Sequence, residues 1–237
     1  QTCALPIFAG DGGEALQLVR SHVPDIIVSD VMMPRMNGYK LCKTIKEDIN
    51  ISHIPVILLT ARDDRQSQIS GYKNGADGYL SKPFEVEMLM ELIRNRLKNR
   101  EYTKKRYLNA GLIPTPEEST ISLTDETFLI KLNSIIQENI ENSNLGIQFI
   151  CQEVGLGRSS LYNKLKALTG MGANEYISKL RIEKAITLIS GTDMPFSEIA
   201  EKTGFTTPSY FSTAFKQYTG ETPSQYKERK KKGLAGK

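Results

Sequence analysis

Three side chains of complementary chemistry, Asp30, Thr60 and Lys82, each stand at the end of a short apolar run. The interval from Asp30 is 30 residues to Thr60 and 52 residues to Lys82. An ionised aspartate can attack a phosphoryl group as a nucleophile. An ammonium group then neutralises the oxygens of the bound anion, and a hydroxyl donates a hydrogen bond to one of them. Together these residue types predict a site that accepts and registers a covalently attached anion.

The runs that carry these residues have the composition of buried strands. They read DIIVSD, IPVILLTA and DGYLSKPF, and they alternate with helical patterns such as GGEALQLVRSH, GYKLCKTIKE and QISGYKNGA. Short uninterrupted apolar strands between helices predict an α/β fold with a parallel sheet covered on both faces. In such sheets ligands collect beyond the carboxyl ends of the strands. This topology would bring Asp30, Thr60 and Lys82 to one rim.

The stretches DIIVSDVMMPRMNG, IPVILLTA and GADGYLSKPF resemble the receiver domain of bacterial two-component response regulators, a flavodoxin-like α/β fold. The resemblance implies that Asp30 is the phosphoacceptor and that Thr60 and Lys82 are the phosphoryl-sensing pair. It also implies that Tyr79 is an aromatic switch and that the Lys82–Pro83 bond is cis, an isomer that only proline makes inexpensive. Of the Mg²⁺ ligands of this family, it assigns Asp30 and the backbone of Met32.

The start of the chain departs from the receiver pattern. The stretch QTCALPI, residues 1–7, resembles the translation of a sequencing adaptor and is predicted to be a non-native scar; an irregular native terminus is the alternative. A receiver over residues 8–100 would lack the family's first strand, with its Mg²⁺-binding acidic pair, and the following helix. Asp11 lies at the wrong place to replace that pair. We therefore expect Mg²⁺ in an intact parent, weak or absent binding here, and inefficient phosphorylation of this chain.

Residues 101–124 have the composition of an interdomain linker. The basic run REYTKKRY continues the preceding helix, and AGLIPTPEEST then breaks it with glycine and two prolines. The cations would either meet DNA phosphates or form a solvated helix face. The next stretch, SLTDETFLIKLNSIIQENI, predicts a helix. Its expected buried stripe is Phe128, Leu132, Ile135 and Ile136.

The last part of the chain repeats itself at an offset of 50 residues, where SSLYNKLKALTG aligns with SYFSTAFKQYTG. Each copy follows a short helical pattern and a glycine, Gly155 or Gly204. These glycines fall where a helix-turn-helix needs a left-handed residue. The predicted inward positions are Leu161 and Leu165 in the first copy and Phe211 and Phe215 in the second.

Short polar residues and cations occupy the outward positions of both second helices. Such side chains reach base edges and phosphates in a major groove. The predicted DNA-binding residues are Arg158, Ser159, Ser160, Tyr162, Asn163 and Lys164 in the first copy, and Thr206, Thr207, Ser209, Tyr210, Thr213 and Lys216 in the second. Exposure alone would explain any one of them, so the prediction rests on the set.

Two helix-turn-helix units joined by NEYISKLRIEKAITLIS resemble the AraC-type DNA-binding domain. The more specific signature lies in the second unit, with SEIAEKTGF and YFSTAFKQYTGETPSQY. The resemblance predicts an all-α domain, with basic tail, over residues 125–237. It implies two recognition helices that enter successive major-groove segments, about 34 Å apart. The tail KERKKKG is expected either to attract phosphates non-specifically or to be disordered.

Composition limits the function classes further. Hydrophobic residues make up 39% and charged residues 24%, as in soluble globular proteins, and no apolar run approaches the ~20 residues of a membrane helix. Residues 1–93 contain nine Lys/Arg and twelve Asp/Glu, whereas residues 121–237 contain fifteen and twelve. Such asymmetry predicts different partners for the two parts. Three dispersed cysteines without CxxC spacing indicate reduced thiols in a cytoplasmic protein rather than a metal site.

The two resemblances together imply a DNA-binding transcriptional regulator, not an enzyme, that is controlled by phosphorylation of Asp30. The expected partners are double-stranded DNA, a histidine kinase in cis or in trans, and a second copy in an activated homodimer. The linker and GRSSLYNKLKALTG resemble hybrid two-component proteins of gut Bacteroidetes, which implies a membrane-anchored parent with an upstream kinase. A stand-alone regulator is the alternative.

Two other functions remain for comparison. One is a phosphorylation-independent DNA-binding regulator whose incomplete receiver only packs or dimerises. The other is a phosphohydrolase with an aspartyl nucleophile. Such an enzyme usually carries a second acid two residues after the nucleophile, where this chain has Met32, so the sequence disfavours it.

Overall fold

The structure, a computed structural model, describes residues 5–61, 75–110 and 122–234. Residues 1–4 of the predicted scar, nearly all of the predicted helix QISGYKNGA and the Pro-containing part of the linker lie outside these ranges. Contacts divide the chain into two compact units. The first extends to Phe128 and includes Lys166–Gly170; the second comprises Leu129–Leu165 and the residues from Met171 onward.

The first unit contains a parallel three-stranded sheet with helices, which confirms the predicted α/β class. The elements are α1 (Gly12–His22), β1 (Ile27–Asp30), α2 (Gly38–Glu47), β2 (Val56–Thr60), β3 (Gly78–Ser81) and α3 (Val86–Ala110). The strand order among the described residues is β1-β2-β3. Each pair is parallel, so the three carboxyl ends lie on one edge.

Apolar burial and polar caps account for these elements. The core joins α2 to the sheet through Leu41, Ile45, Val56 and Leu58, all at most 1% exposed. Burial of such side chains contributes about 1.5–3 kcal/mol each before entropy costs. Asp11 caps the start of helix α1, and its carboxylate accepts hydrogen bonds from the amides of the first turn. Such caps are worth about 1 kcal/mol.

The helices that follow are α4 (Leu123–Glu138), α5 (Ile147–Val154), α6 (Arg158–Thr169), α7 (Ala173–Gly191), α8 (Phe196–Lys202), α9 (Pro208–Thr219) and α10 (Pro223–Leu234). The predicted all-α class of this part is confirmed. Two consecutive pairs, α5–α6 and α8–α9, are joined by short turns, and the long α7 connects them. Helix α10 contains the basic run KERKKK, so that part of the tail is helical and the expectation of disorder is wrong for it.

Glycines make both turns possible. Gly155 ends α5 at φ 78° and Gly204 follows α8 at φ 70°, the left-handed region that favours glycine. The predicted inward stripe is buried, with Leu161, Leu165, Phe211 and Phe215 at most 1% exposed, and so is the predicted stripe of α4. In the second pair the core is an aromatic chain. Its rings, Phe205, Phe211, Phe215 and Tyr226, follow one another at centroid distances of 5.4–5.7 Å.

Candidate functional site: a carboxylate rim and two recognition helices

Asp30 lies at the end of β1 with its carboxylate accessible from solvent. Its side chain is 35% exposed, and Oδ2 contacts Nζ of Lys82 directly. The other oxygen, Oδ1, accepts a hydrogen bond of 3.0 Å from the backbone amide of Met32. The sheet therefore presents a nucleophilic oxygen beside a cation, as the residue types predicted.

Strand register brings the other two predicted residues to the same rim. Asp30 is paired with Leu59, the residue before Thr60, and Thr60 is paired with Ser81, the residue before Lys82. The backbone amide of Lys82 donates to the carbonyl of Thr60 at 2.6 Å. The Thr60 side chain is buried, while the ammonium of Lys82 reaches Asp30. The Lys82–Pro83 bond is cis, the isomer that the family resemblance implied.

The environment of Asp30 favours its ionised form. Partial burial acts to raise the pKa of the carboxyl. The hydrogen bond from Lys82, the amide of Met32 and the charge of Lys82 together outweigh that effect and hold the pKa below its usual value. The group is thus a carboxylate at neutral pH, the form that a nucleophile requires.

A close backbone contact fixes the loop beyond Asp30. Gly38, the first residue of α2, lies so near that a Cβ there would clash with the carbonyl oxygen of Asp30. Its amide donates to the carbonyl of Val31 at 3.0 Å, and Asn37 caps the helix through the amide of Lys40. Gly38 is a positioning residue that the sequence analysis did not assign. The dipeptide Asn37-Gly38 was the available signal for it.

Tyr79 lies on β3, three residues before Lys82, with its ring packed against the core. Its hydroxyl is buried and has no hydrogen-bond partner within the described ranges. A change in the position of this ring would therefore break no hydrogen bond seen among those residues. The role of Tyr79 as a switch stays a prediction.

The fit of Mg²⁺ can be judged from the oxygen donors near Asp30. Mg²⁺ demands near-octahedral oxygen coordination, commonly with one or two carboxylates. In the part of the chain that the structure describes, no group of three or more His, Cys, Asp or Glu side chains could hold a metal. Asp11 is buried, caps α1 and is ion-paired with Arg35, so it is engaged elsewhere. Asp30 and the carbonyl of Met32 would supply only two of about six oxygens, so the described residues fit the ion poorly and leave most of its shell to water.

The first recognition helix, α6, exposes most of the residues predicted to contact DNA. Arg158, Ser159, Tyr162 and Asn163 are exposed, and Ser160 is partly buried. The residue Tyr162 is 54% exposed. A cation, an amide and hydroxyls along one surface are suited to contact with phosphates and base edges.

Lys164 does not belong to that surface. Its side chain is fully buried, so the prediction that it faces DNA is wrong. The repeat contains the reason, because Lys164 aligns with Ala214, a partly buried residue packed against the second core. Besides Arg158, this helix exposes Lys166, which aligns with Lys216 and which the sequence analysis missed. The repeat offset itself could have identified it.

All the predicted residues in and just before the second recognition helix, α9, are exposed: Thr206, Thr207, Ser209, Tyr210, Thr213 and Lys216. Two hydroxyls also serve the helix. The side chain of Thr207 accepts from the amide of Tyr210 at 3.2 Å, and Thr213 donates to the carbonyl of Ser209 at 3.1 Å. Thr206, Ser209, Tyr210 and Lys216 are also exposed and can contact an external partner.

Comparisons with known proteins identify both parts. Residues 7–94 match the family described as response regulator receiver domain, and residues 150–229 match a helix-turn-helix domain family. Within the described ranges, no helix has the length and apolarity needed to span a bilayer.

Relatives cover the chain more completely. Histidine kinase P4 of Formosa agariphila is 42% identical over 93% of this chain, which spans 16% of that protein. The probable transcriptional regulator ycf29 of Pyropia yezoensis is 30% identical over 71% of this chain and 81% of its own length. The C-terminal domain of AraT, a response regulator from Geobacillus stearothermophilus, is 31% identical over 43% of this chain and 84% of that one, with a TM-score of 0.41. The chain belongs to the response regulator family, with a receiver domain followed by an AraC-type helix-turn-helix domain.

Proposed function

We propose that the chain is a sequence-specific DNA-binding transcriptional regulator, acting in the cytoplasm, whose output is controlled by phosphorylation of Asp30. One observation carries the control step. The ionised carboxylate of Asp30 is accessible at a strand tip and touches the ammonium of Lys82. The exposed polar faces of α6 and α9 carry the DNA-binding step.

The proposed reaction is a phosphoryl transfer from a phosphohistidine. An oxygen of Asp30 attacks phosphorus, the P–N bond breaks, and the leaving imidazole nitrogen keeps the electron pair and takes a proton. Lys82 already lies beside the acceptor oxygen and neutralises charge on the transferred group. The hydroxyl of Thr60 is proposed to donate to a phosphoryl oxygen.

The proposed switch is a shift between two populated states. Phosphorylation adds charge at the rim, draws Thr60 and Lys82 toward it, and so favours the state in which Tyr79 has moved inward. The absence of a hydrogen-bond partner for the Tyr79 hydroxyl among the described residues supports a low cost for this movement. The favoured state would dimerise or engage paired DNA sites.

We propose in addition that the kinase and the missing Mg²⁺ ligands belong to a longer polypeptide. Two observations support this. The described residues contain no group of three or more His, Cys, Asp or Glu side chains that could hold a metal, and the chain is similar to 16% of a histidine kinase. When bound, Mg²⁺ would neutralise phosphoryl oxygens at the rim. A kinase acting in trans would transfer its phosphoryl group to the same carboxylate of Asp30.

DNA recognition is proposed to use both helix pairs of one molecule. Helices α6 and α9 would enter successive major-groove segments about one helical turn, roughly 34 Å, apart. Arg158 and Asn163 can make bidentate contacts to guanine and adenine. The second helix offers mainly hydroxyls and Lys216, so base discrimination would be stronger in the first half of the site.

The test compares DNA affinity with and without phosphorylation in the full-length gene product. Its DNA site is first obtained by selection from a random double-stranded library. Phosphorylation by its kinase should change the affinity, and Asp30→Asn should abolish that change. Asp25→Asn is the matched control, since Asp25 is an exposed carboxylate (92%) five residues away. It should respond like the unmodified protein.

Each result has a defined meaning. If the protein selects no DNA motif, the DNA-binding proposal is wrong. If it selects a motif but Asp30→Asn leaves the response to the kinase intact, the control step is wrong. In that case the phosphorylation-independent regulator, with a receiver that only packs or dimerises, replaces it.

A further inference from the structure

A buried guanidinium lies between the two helix-turn-helix units. Arg181, in the middle of α7, is only 9% exposed. Its Nη2 donates a hydrogen bond of 2.7 Å to the backbone carbonyl of Asn142, in the segment that leads from α4 into the first unit. This contact joins the connecting helix α7 to the segment before the first helix-turn-helix unit (α5–α6), through a backbone atom rather than a side chain.

The same guanidinium also contacts the second helix-turn-helix unit (α8–α9). Its Cζ lies 5.9 Å from the ring centroid of Phe205, which is in the turn between α8 and α9. Phe205 in turn packs edge-on against Tyr210, with ring centroids 5.7 Å apart. Tyr210 is 53% exposed near the start of the second recognition helix. A continuous chain of contacts thus runs from Asn142 through Arg181 to α9.

The backbones of the two units approach each other at this point. A Cβ at Gly204 would clash with the carbonyl oxygen of Ile140 and would come within 2.9 Å of Nη2 of Arg181. The turn of the second unit therefore lies directly against the segment preceding the first. Small changes in the group between them would alter the angle between α6 and α9.

Burying this cation carries a cost that an apolar residue would avoid. Burial lowers the pKa of Arg181, and its Nε is buried without a hydrogen-bond partner within the described ranges. A methionine would fill similar space without these penalties, since buried charges are often replaceable by apolar groups at no loss of stability. Methionine cannot, however, make directional contacts, because it neither donates a hydrogen bond to a carbonyl nor stacks on a ring as a planar cation.

We infer that Arg181 is a positioning residue that fixes the geometry between the two recognition helices, so that the protein discriminates DNA sites by the separation of their two half-motifs. The inference rests on the proposed DNA binding. One base pair added or removed between half-motifs rotates them by about 35° around the duplex, given 10–10.5 base pairs per turn. A rigid pair of units rejects such a site, whereas a loosely joined pair tolerates it.

The test uses the whole chain and four proteins: the unsubstituted chain, Arg181→Met, Arg181→Lys and Lys184→Met. Lys184 is the matched control, because it lies one turn further along α7 and pairs with Glu141 of the same segment at 3.1 Å, on the surface. Each protein selects sites from a random double-stranded library. Affinity is then measured for the selected site and for versions with one base pair inserted or deleted between half-motifs.

The unsubstituted chain and Lys184→Met should prefer the original separation by roughly tenfold, the size of a mismatched base pair. Arg181→Met should lose most of this preference while it keeps the base preferences within each half-motif. Arg181→Lys should fall between them, since lysine can donate to the Asn142 carbonyl but cannot stack as a plane. A general structural role predicts a different result: weaker binding to every probe with the preference unchanged.

That different result would overturn the inference. So would failure of both Arg181 variants to show a cooperative thermal transition, because the residue would then be needed for folding itself. Absence of any selected motif for the unsubstituted chain would instead refute the proposed DNA binding, and the inference with it.

Discussion

At the scale of single residues, the ion pair between Asp30 and Lys82 makes a prediction about pH. Lys82→Met removes both a hydrogen bond and a positive charge from the carboxylate, so the pKa of Asp30 should rise. The lowered pKa of Asp30 stabilises the folded state above the unfolded-state pKa, and this contribution is lost as pH falls through the folded-state pKa. Lys82→Met should therefore lose less stability than the unsubstituted chain on acidification below about pH 4. NMR titration of the Asp30 carboxyl carbon measures the shift.

Asp48 is the internal control for that titration. Arg20 and Asn50 hold the pKa of Asp48 down against partial burial, and neither contacts Lys82 in the described structure. Its titration should be the same in both proteins. A parallel rise at Asp48 would mean that the substitution disturbs the fold, and an unchanged Asp30 would contradict the ion pair.

The lysines of the recognition helices make a second prediction at this scale. Lys166→Ala and Lys216→Ala should each weaken binding to all DNA sequences similarly and reduce the slope of log affinity against log salt by about 1, as expected for loss of one phosphate contact. Lys164→Ala should leave the slope unchanged and lower the melting temperature, because its side chain is fully buried. A reduced slope for Lys164→Ala would contradict its buried position.

At the scale of elements, the two turn glycines allow the cost of a left-handed backbone to be measured apart from the cost of a steric clash. Both Gly155 and Gly204 are left-handed, but a Cβ at Gly155 would meet nothing within 4 Å, whereas one at Gly204 would clash with the carbonyl oxygen of Ile140. Gly155→Ala should cost about 1–2 kcal/mol, the cost of a left-handed alanine. Gly204→Ala should cost clearly more. Urea unfolding followed by circular dichroism ranks the two, and equal losses would refute the close approach.

The same elements show what sequence can and cannot specify. Apolar runs and their polar ends predicted the strands and the rim that joins Asp30 to Lys82, because periodicity identifies strands and their alternation with helices implies parallel pairing. The left-handed glycines and buried stripes followed from the repeat. The clash at Gly38 and the bond from Arg181 to Asn142 were not predicted, since they depend on three-dimensional approach between separate segments. The outward prediction for Lys164 is wrong, and its burial is an exception to the rule that lysine is almost never fully buried.

At the scale of the whole molecule, the proposed function assigns a chemical event to the receiver and its output to the helix-turn-helix part. The rim supplies a nucleophile and a cation. The recognition helices supply polar surfaces, and we infer that Arg181 fixes their relative orientation. Phosphorylation control therefore requires the rim to be chemically complete. Asp30 supplies a carboxylate to it, and among the described residues no group of three or more His, Cys, Asp or Glu side chains could hold a metal.

This leads to a prediction for the isolated chain. Incubated with a small phosphodonor and Mg²⁺, residues 1–237 should show little hydroxylamine-sensitive label on Asp30. A single carboxylate leaves most of the Mg²⁺ shell to water, and the neighbouring ammonium of Lys82 repels the ion, so binding should be weak. A longer polypeptide that contributes an acidic pair should be labelled readily, and its Asp30→Asn variant should not. Robust Mg²⁺-dependent labelling of Asp30 in the isolated chain would show that the rim is complete as it stands, with Asp30 and the Met32 carbonyl sufficient to hold the ion.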